Sequence, residues 1–128
     1  MRKAQPEYQL QVAVCDYLRA AYPKVFFTSD TIAAVKLTIP QQVRNKKIQK
    51  PGFKQPDIHI LEPSKHAAGL FLELKASSPY KKDGTLKRDD HLEGQAATLH
   101  ELRKRGYIAK FVWDFEQARE VIDWYLSQ

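Results

Sequence analysis

The chain's 128 residues, 43 % hydrophobic and 28 % charged, fit one domain (1–128) with a single core and exclude a disordered polar chain. No apolar run approaches the roughly 20 residues of a membrane helix, and the start, MRKAQPEYQ, lacks a signal peptide's apolar segment, so a cytoplasmic protein with no membrane partner is expected. The formal net charge of +6 is consistent with a nucleic-acid partner, and the single cysteine, Cys15, excludes an internal disulfide and a cysteine-based zinc site.

From Glu7 to Ala21, Leu10, Val14, Tyr17, Leu18 and Ala21 recur at spacings of three and four, which predicts a helix. Pro6 suits its first turn and Pro23 ends the run. Cys15 falls inside and reads as a small core residue rather than a nucleophile. Glu7 lies with Gln11 on the edge of the apolar stripe, where an acid also complements the helix dipole. Val25 to Thr28 predicts a strand. Ile32 to Leu37 reads equally as strand or helix. Pro40 followed by Val43, Lys47 and Ile48 predicts a short basic helix ending before Pro51-Gly52.

Pro56 to Lys75, PDIHILEPSKHAAGLFLELK, predicts two strands joined by a loop. Asp57 opens the first strand, and Glu73 and Lys75 close the second. Residues two apart share a strand face. Phe71, Glu73 and Lys75 therefore point one way, and Leu70, Leu72 and Leu74 point the other, into a core. A carboxylate and an ammonium at a strand end, near a second carboxylate, suggest a metal-assisted phosphoryl site.

The polar loop from Ala76 to Asp90 is long enough to be functional. Asp90 with Glu93 predicts the capped start of a helix whose stripe is Leu92, Ala96, Leu99 and Leu102, and Gly106 its end. Gln95 falls with that stripe. It either meets a polar partner at the site or sits half-exposed at the stripe's edge. Tyr107 to Trp113 predicts another strand. Asp114 with Gln117 then caps a last helix carrying Ala118, Val121, Ile122, Tyr125 and Leu126. The sum is an α/β sandwich, a small mixed β-sheet flanked by helices.

Two basic clusters flank the central stretch. Arg44, Lys46, Lys47, Lys50 and Lys54 have no acid among them, and Lys81, Lys82, Lys87 and Arg88 are broken only by Asp83. They are candidate nucleic-acid contacts, with solvated lysine loops as the plain alternative.

The order Pro56-Asp57, fifteen residues, Glu73-Leu74-Lys75, then a helix with Gln95, a strand and a final helix resembles the PD-(D/E)xK nuclease superfamily. GLFLELK, GQAATLHELRKRGY and FEQAREVIDWYL make the chain most similar to stand-alone VRR-NUC (virus-type replication-repair nuclease) domains of phages and prophages. The lead-in departs from that pattern, with Phe53-Lys54-Gln55 where such proteins often have a second glycine. Residues 29 to 55 match poorly, so no substrate-reading role carries over there.

The resemblance implies a restriction-endonuclease-like fold and a bound magnesium, with manganese as substitute. Its ligands would be Asp57, Glu73, the backbone carbonyl of Leu74, and Glu7 directly or through water. Lys75 would orient or deprotonate the attacking water, and Gln95 would hold Lys75 or a ligand. Hard divalent cations on carboxylates supply the activated water and the charge relief that phosphodiester hydrolysis needs. His59 and His91 read as satisfied or exposed histidines, because the carboxylate–lysine set already supplies that chemistry. Tyr80 reads equally as a base-stacking residue or an ordinary loop tyrosine.

The expected activity is a metal-dependent, structure-selective DNA endonuclease acting on branched DNA such as four-way (Holliday) junctions. Two symmetric incisions would call for a homodimer. The alternatives are a less selective flap, nick or single-strand nuclease, and an inactive nucleic-acid-binding module.

Overall fold

The computed structural model describes residues 6–31 and 35–127. Its centre is a four-stranded sheet of β1 (Phe27–Ser29), β2 (Ile58–Ile60), β3 (Leu70–Leu74) and β4 (Ile108–Val112), in that spatial order. β1, β2 and β3 pair antiparallel, and β3 pairs parallel with β4. The parallel pair follows from its connection, because a crossover helix must carry the chain back before β4 can start. That helix is α3 (Asp90–Lys104). The sheet is therefore mixed, as expected from the sequence, and α/β.

α1 (Pro6–Ala21) and α4 (Phe115–Leu126) cover one face of the sheet. Val14 and Leu18 from α1, and Ala118, Ile122, Tyr125 and Leu126 from α4, pack on Ile58, Ile60, Leu70, Leu72, Leu74 and Val112. Each such aliphatic side chain, fully buried, is worth about 1.5–3 kcal/mol. The Tyr125 hydroxyl donates to the carbonyls of Glu62 and Ala67 at 2.7 and 3.0 Å, which anchors the loop between β2 and β3. Asp123 of α4 accepts from the hydroxyls of Tyr17 and Tyr22, tying the end of α1 to α4.

α3 covers the other face, where Leu92, Leu99 and Leu102 pack on Phe71, Ala109 and Phe111. The single core expected from the sequence is thus divided in two by the sheet. All five residues of β3 are buried, as befits a central strand covered on both faces.

The N-cap of α3 is Asp89, one residue before the Asp90 expected from the sequence. Asp89 has the extended backbone (φ −172°, ψ 121°) and accepts from the Leu92 amide at 3.0 Å, whereas Asp90 is already helical. Asp114 caps α4 as expected, accepting from the Gln117 amide at 2.8 Å. Gly106 follows the α3 cap with φ 96°, the left-handed backbone that glycine adopts without steric cost.

The short basic helix is α2 (Ile39–Lys47), started by a Thr38–Gln41 capping box. It buries none of its residues and leaves Ile39 and Val43 exposed. In the ambiguous stretch from Ile32 to Leu37, residues 32–34 lie outside the described residues, and Val35 to Leu37 is neither helix nor strand.

Candidate active site

The site lies where β2 begins and β3 ends. These points are neighbours because the antiparallel register sets Ile58 opposite Leu72, which brings Asp57 beside Glu73. Pro56, fully buried, fixes the approach to Asp57. Asp57 is held through three groups. Its amide donates to Glu73 Oε2 at 3.1 Å, its Oδ2 accepts from the Leu74 amide at 2.7 Å, and its carbonyl accepts from the Asp30 amide at 2.8 Å.

Glu73 is 4 % exposed and shares the α3 face of β3 with Phe71. Gln95 reaches down from α3 and donates through Nε2 to Glu73 Oε1. Of the two partners expected for Gln95, the structure selects the carboxylate over Lys75. Its own Oε1 is buried without a hydrogen-bond partner. Lys75 follows β3, with its amide donating to the Val112 carbonyl at 2.9 Å, so β4 pins its backbone.

Burial, and then the nearby Asp57 charge, push the Glu73 carboxyl up to about 9, against the opposing pull of the Lys75 ammonium. A carboxyl in that state would sooner hold a proton than face a second negative charge. The donor set therefore fits a divalent cation, because a positive ion beside both carboxylates removes the repulsion and compensates the desolvation. Among the described residues, no three of His, Cys, Asp or Glu assemble tightly enough to hold an ion on side chains alone.

Around the pair opens a cleft of about 460 Å³ whose lining includes Glu7, Asp57, Glu73, Leu74, Lys75 and Gln95. All six residues proposed for metal binding or catalysis thus lie on one cleft, with Glu7 on the exposed first turn of α1.

No family model matches the sequence, and no curated protein matches it. A solved structure described as a VRR_NUC domain protein is similar over 98 % of this chain and 91 % of that one, with a TM-score of 0.61 and 19 % identity. The fold is that of a VRR-NUC domain.

Within this VRR-NUC fold the cleft also recruits residues that sequence reasoning missed. Asp30, just past β1, lines it together with Asn45 and Gln49. Gln11 supports Asp30 from α1, its Nε2 donating to the Ser29 hydroxyl at 2.5 Å and to the Asp30 carbonyl at 2.9 Å. Asp30 lies two residues past the predicted strand Val25–Thr28, where nothing in the sequence marks it. Asn45 accepts from Gln49 Nε2 at 3.1 Å, which makes a pair of amides on the cleft wall.

The basic clusters divide. All five residues of the first are exposed; Lys54 lines the cleft, and Arg44, Lys46, Lys47 and Lys50 stand at and just beyond the end of α2. Lys81, Lys82 and Lys87 are exposed on the loop before α3, shaped by the Tyr80–Leu86 bridge and Gly84 (φ 87°). Tyr80 packs edge-on against Phe111 and Trp113. His59 stacks on Phe71 at 3.8 Å, and burial holds its pKa below the usual imidazole value. His91 stands on the cleft lining. Among the described residues, no helix is long and apolar enough to cross a membrane.

Proposed function

We propose that this chain is a metal-dependent DNA endonuclease that hydrolyses phosphodiester bonds, with branched DNA such as four-way junctions as its substrate class. The observation that carries the reading is the buried Glu73 carboxylate, wired to Asp57 and Gln95 at a cleft shared with Lys75. A buried carboxyl beside a half-buried carboxylate is costly to fold. Its cleft position is what phosphoryl chemistry needs.

Asp57, Glu73 and the Leu74 carbonyl would hold magnesium or manganese, with Glu7 reaching it through water. When bound, the ion supplies a Lewis acid for the phosphate and a more acidic water. The chain's own residues do the rest. The Leu74 amide fixes the direction of the Asp57 carboxylate, and Gln95 fixes that of Glu73. Lys75 orients the attacking water and takes up charge that develops on the phosphate. The exposed Arg44, Lys46, Lys47, Lys50, Lys81, Lys82 and Lys87 contact the DNA backbone on either side of the cleft. Two incisions placed symmetrically in a four-way junction require two copies of the cleft related by a two-fold axis, hence a homodimer.

The test is cleavage of nicked, flapped and four-way junction DNA in magnesium by wild type, Glu73→Ala and Lys75→Ala. Each variant is expected to lose at least about a hundredfold in kcat while still binding DNA. A wild type that binds these substrates and cuts none of them, in magnesium or manganese, would leave a nucleic-acid-binding module instead.

A further inference from the structure

Lys75 is not the only cation on the cleft. Lys54, an exposed residue, lines it as well; two contacts seat it and its ammonium is unpaired among the described residues. Its amide donates to Thr98 Oγ1 at 3.0 Å, and Thr98 is a buried polar residue of α3. Its stem runs across α3 at Gly94, where an added Cβ would meet Lys54 Cε at 3.1 Å, Cγ at 3.8 Å and Cδ at 3.9 Å. Finally, no ion pair among the described residues occupies its ammonium.

Gly94 is the informative member. Glycine in a helix interior costs stability relative to alanine, and Gly94 is not among the glycines with positive φ, so its backbone does not require glycine. It provides a notch for the lysine stem. A surface lysine otherwise spreads its charge over many rotamers, and one seated in a notch keeps its charge in one place. That place borders a cleft with acids at Glu7, Asp30, Asp57 and Glu73, which alone would repel a phosphodiester.

We propose that Lys54, seated in the Gly94 notch, is a second cationic catalytic residue that contacts the scissile phosphate and shares with Lys75 the neutralisation of its developing charge. This rests on the nuclease reading above. By sequence alone Lys54 belongs with the basic cluster from Arg44 to Lys54, a candidate nucleic-acid contact. The notch separates it from the rest.

The experiment measures magnesium-dependent cleavage of junction DNA by wild type, Lys54→Gln, Gly94→Ala and the double variant, with melting temperatures alongside. Lys54→Gln is expected to lower kcat about tenfold or more, with KM moved by less than about threefold. Gly94→Ala is expected to melt at the same temperature or higher, yet to cut several-fold more slowly, because its methyl group displaces the lysine stem. In the Lys54→Gln background the same alanine is expected to cost nothing further. On the Lys75→Ala background, expected to bind DNA and cut at least about a hundredfold more slowly, Lys54→Gln is expected to reduce the salt slope of binding by about 0.9.

An unchanged kcat for Lys54→Gln in an active enzyme, or a change confined to KM, overturns the proposal alone. So does an equal Gly94→Ala loss with and without Lys54. A wild type that binds DNA and cuts nothing overturns the nuclease reading, and this proposal with it.

Discussion

The two faces of the sheet are built to different rules. The face under α1 and α4 is filled by aliphatic side chains and Tyr125, whose single polar atom is satisfied by two carbonyls. The face under α3 has an apolar half around Phe71, Leu99 and Phe111, and a polar half around Glu73, Gln95 and Thr98. Those three are the buried polar residues among those described, and all belong to the α3 side. Most of the buried apolar side chains lie on one side of the sheet, and the buried polar ones lie on the other, beside the candidate site.

The largest test of this contrast is Leu72→Ala, which removes a fully buried side chain from the α1/α4 face. It is expected to cost about 2–5 kcal/mol in urea or thermal unfolding. A cost under about 1 kcal/mol would mean that apolar burial on this face contributes little.

Glu73→Gln should act in the opposite direction. The folded chain binds a proton at Glu73 that the unfolded chain releases above its ordinary value of 4.5. This contribution to stability is therefore whole below 4.5 and is lost as pH rises toward about 9. In a chelator, the wild type is expected to melt lower at pH 8 than at pH 5, and Glu73→Gln to flatten that fall. At pH 8 the variant should be the more stable protein by about 1–3 kcal/mol. Magnesium should narrow the difference by stabilising the wild type alone. A variant less stable than wild type in chelator at pH 8 would show that Glu73 is not held at a cost.

The smallest effect belongs outside both faces, on α2. Neutralising Lys46, Lys47 and Lys50 should leave the melting temperature unchanged, since α2 and the residues after it bury nothing there. The salt slope of DNA binding should flatten by about 0.9 for each phosphate contact removed. An unaltered slope would assign these lysines to solvent.

Much of the site was legible because its signals are local. Asp57, Glu73 and Lys75 stand at strand ends that alternation and flanking proline make visible, and Gln95 interrupts an apolar stripe. Asp30, Asn45 and Gln49 carry no such signal. Asp30 reaches the cleft only through the register that sets Ser29 opposite Ile58, and Asn45 and Gln49 reach it through a helix anchored by no buried residue. The displaced cap of α3 is a similar case at short range. Spacing to Glu93 favoured Asp90, and only the backbone angles select Asp89.

Periodicity and capping are decided within a turn or two of chain, so the helices α1, α3 and α4 and the apolar β3 followed from residue order alone. The carboxylate and lysine at the end of β3 followed in the same way. Strand order, the division of the core by the sheet, and the partner of Gln95 depend on contacts between residues far apart in the chain. Those were decided only when the antiparallel β2–β3 pair and the parallel β3–β4 pair closed. The seat of Lys54 on Gly94, forty residues further along the sequence, belongs with them.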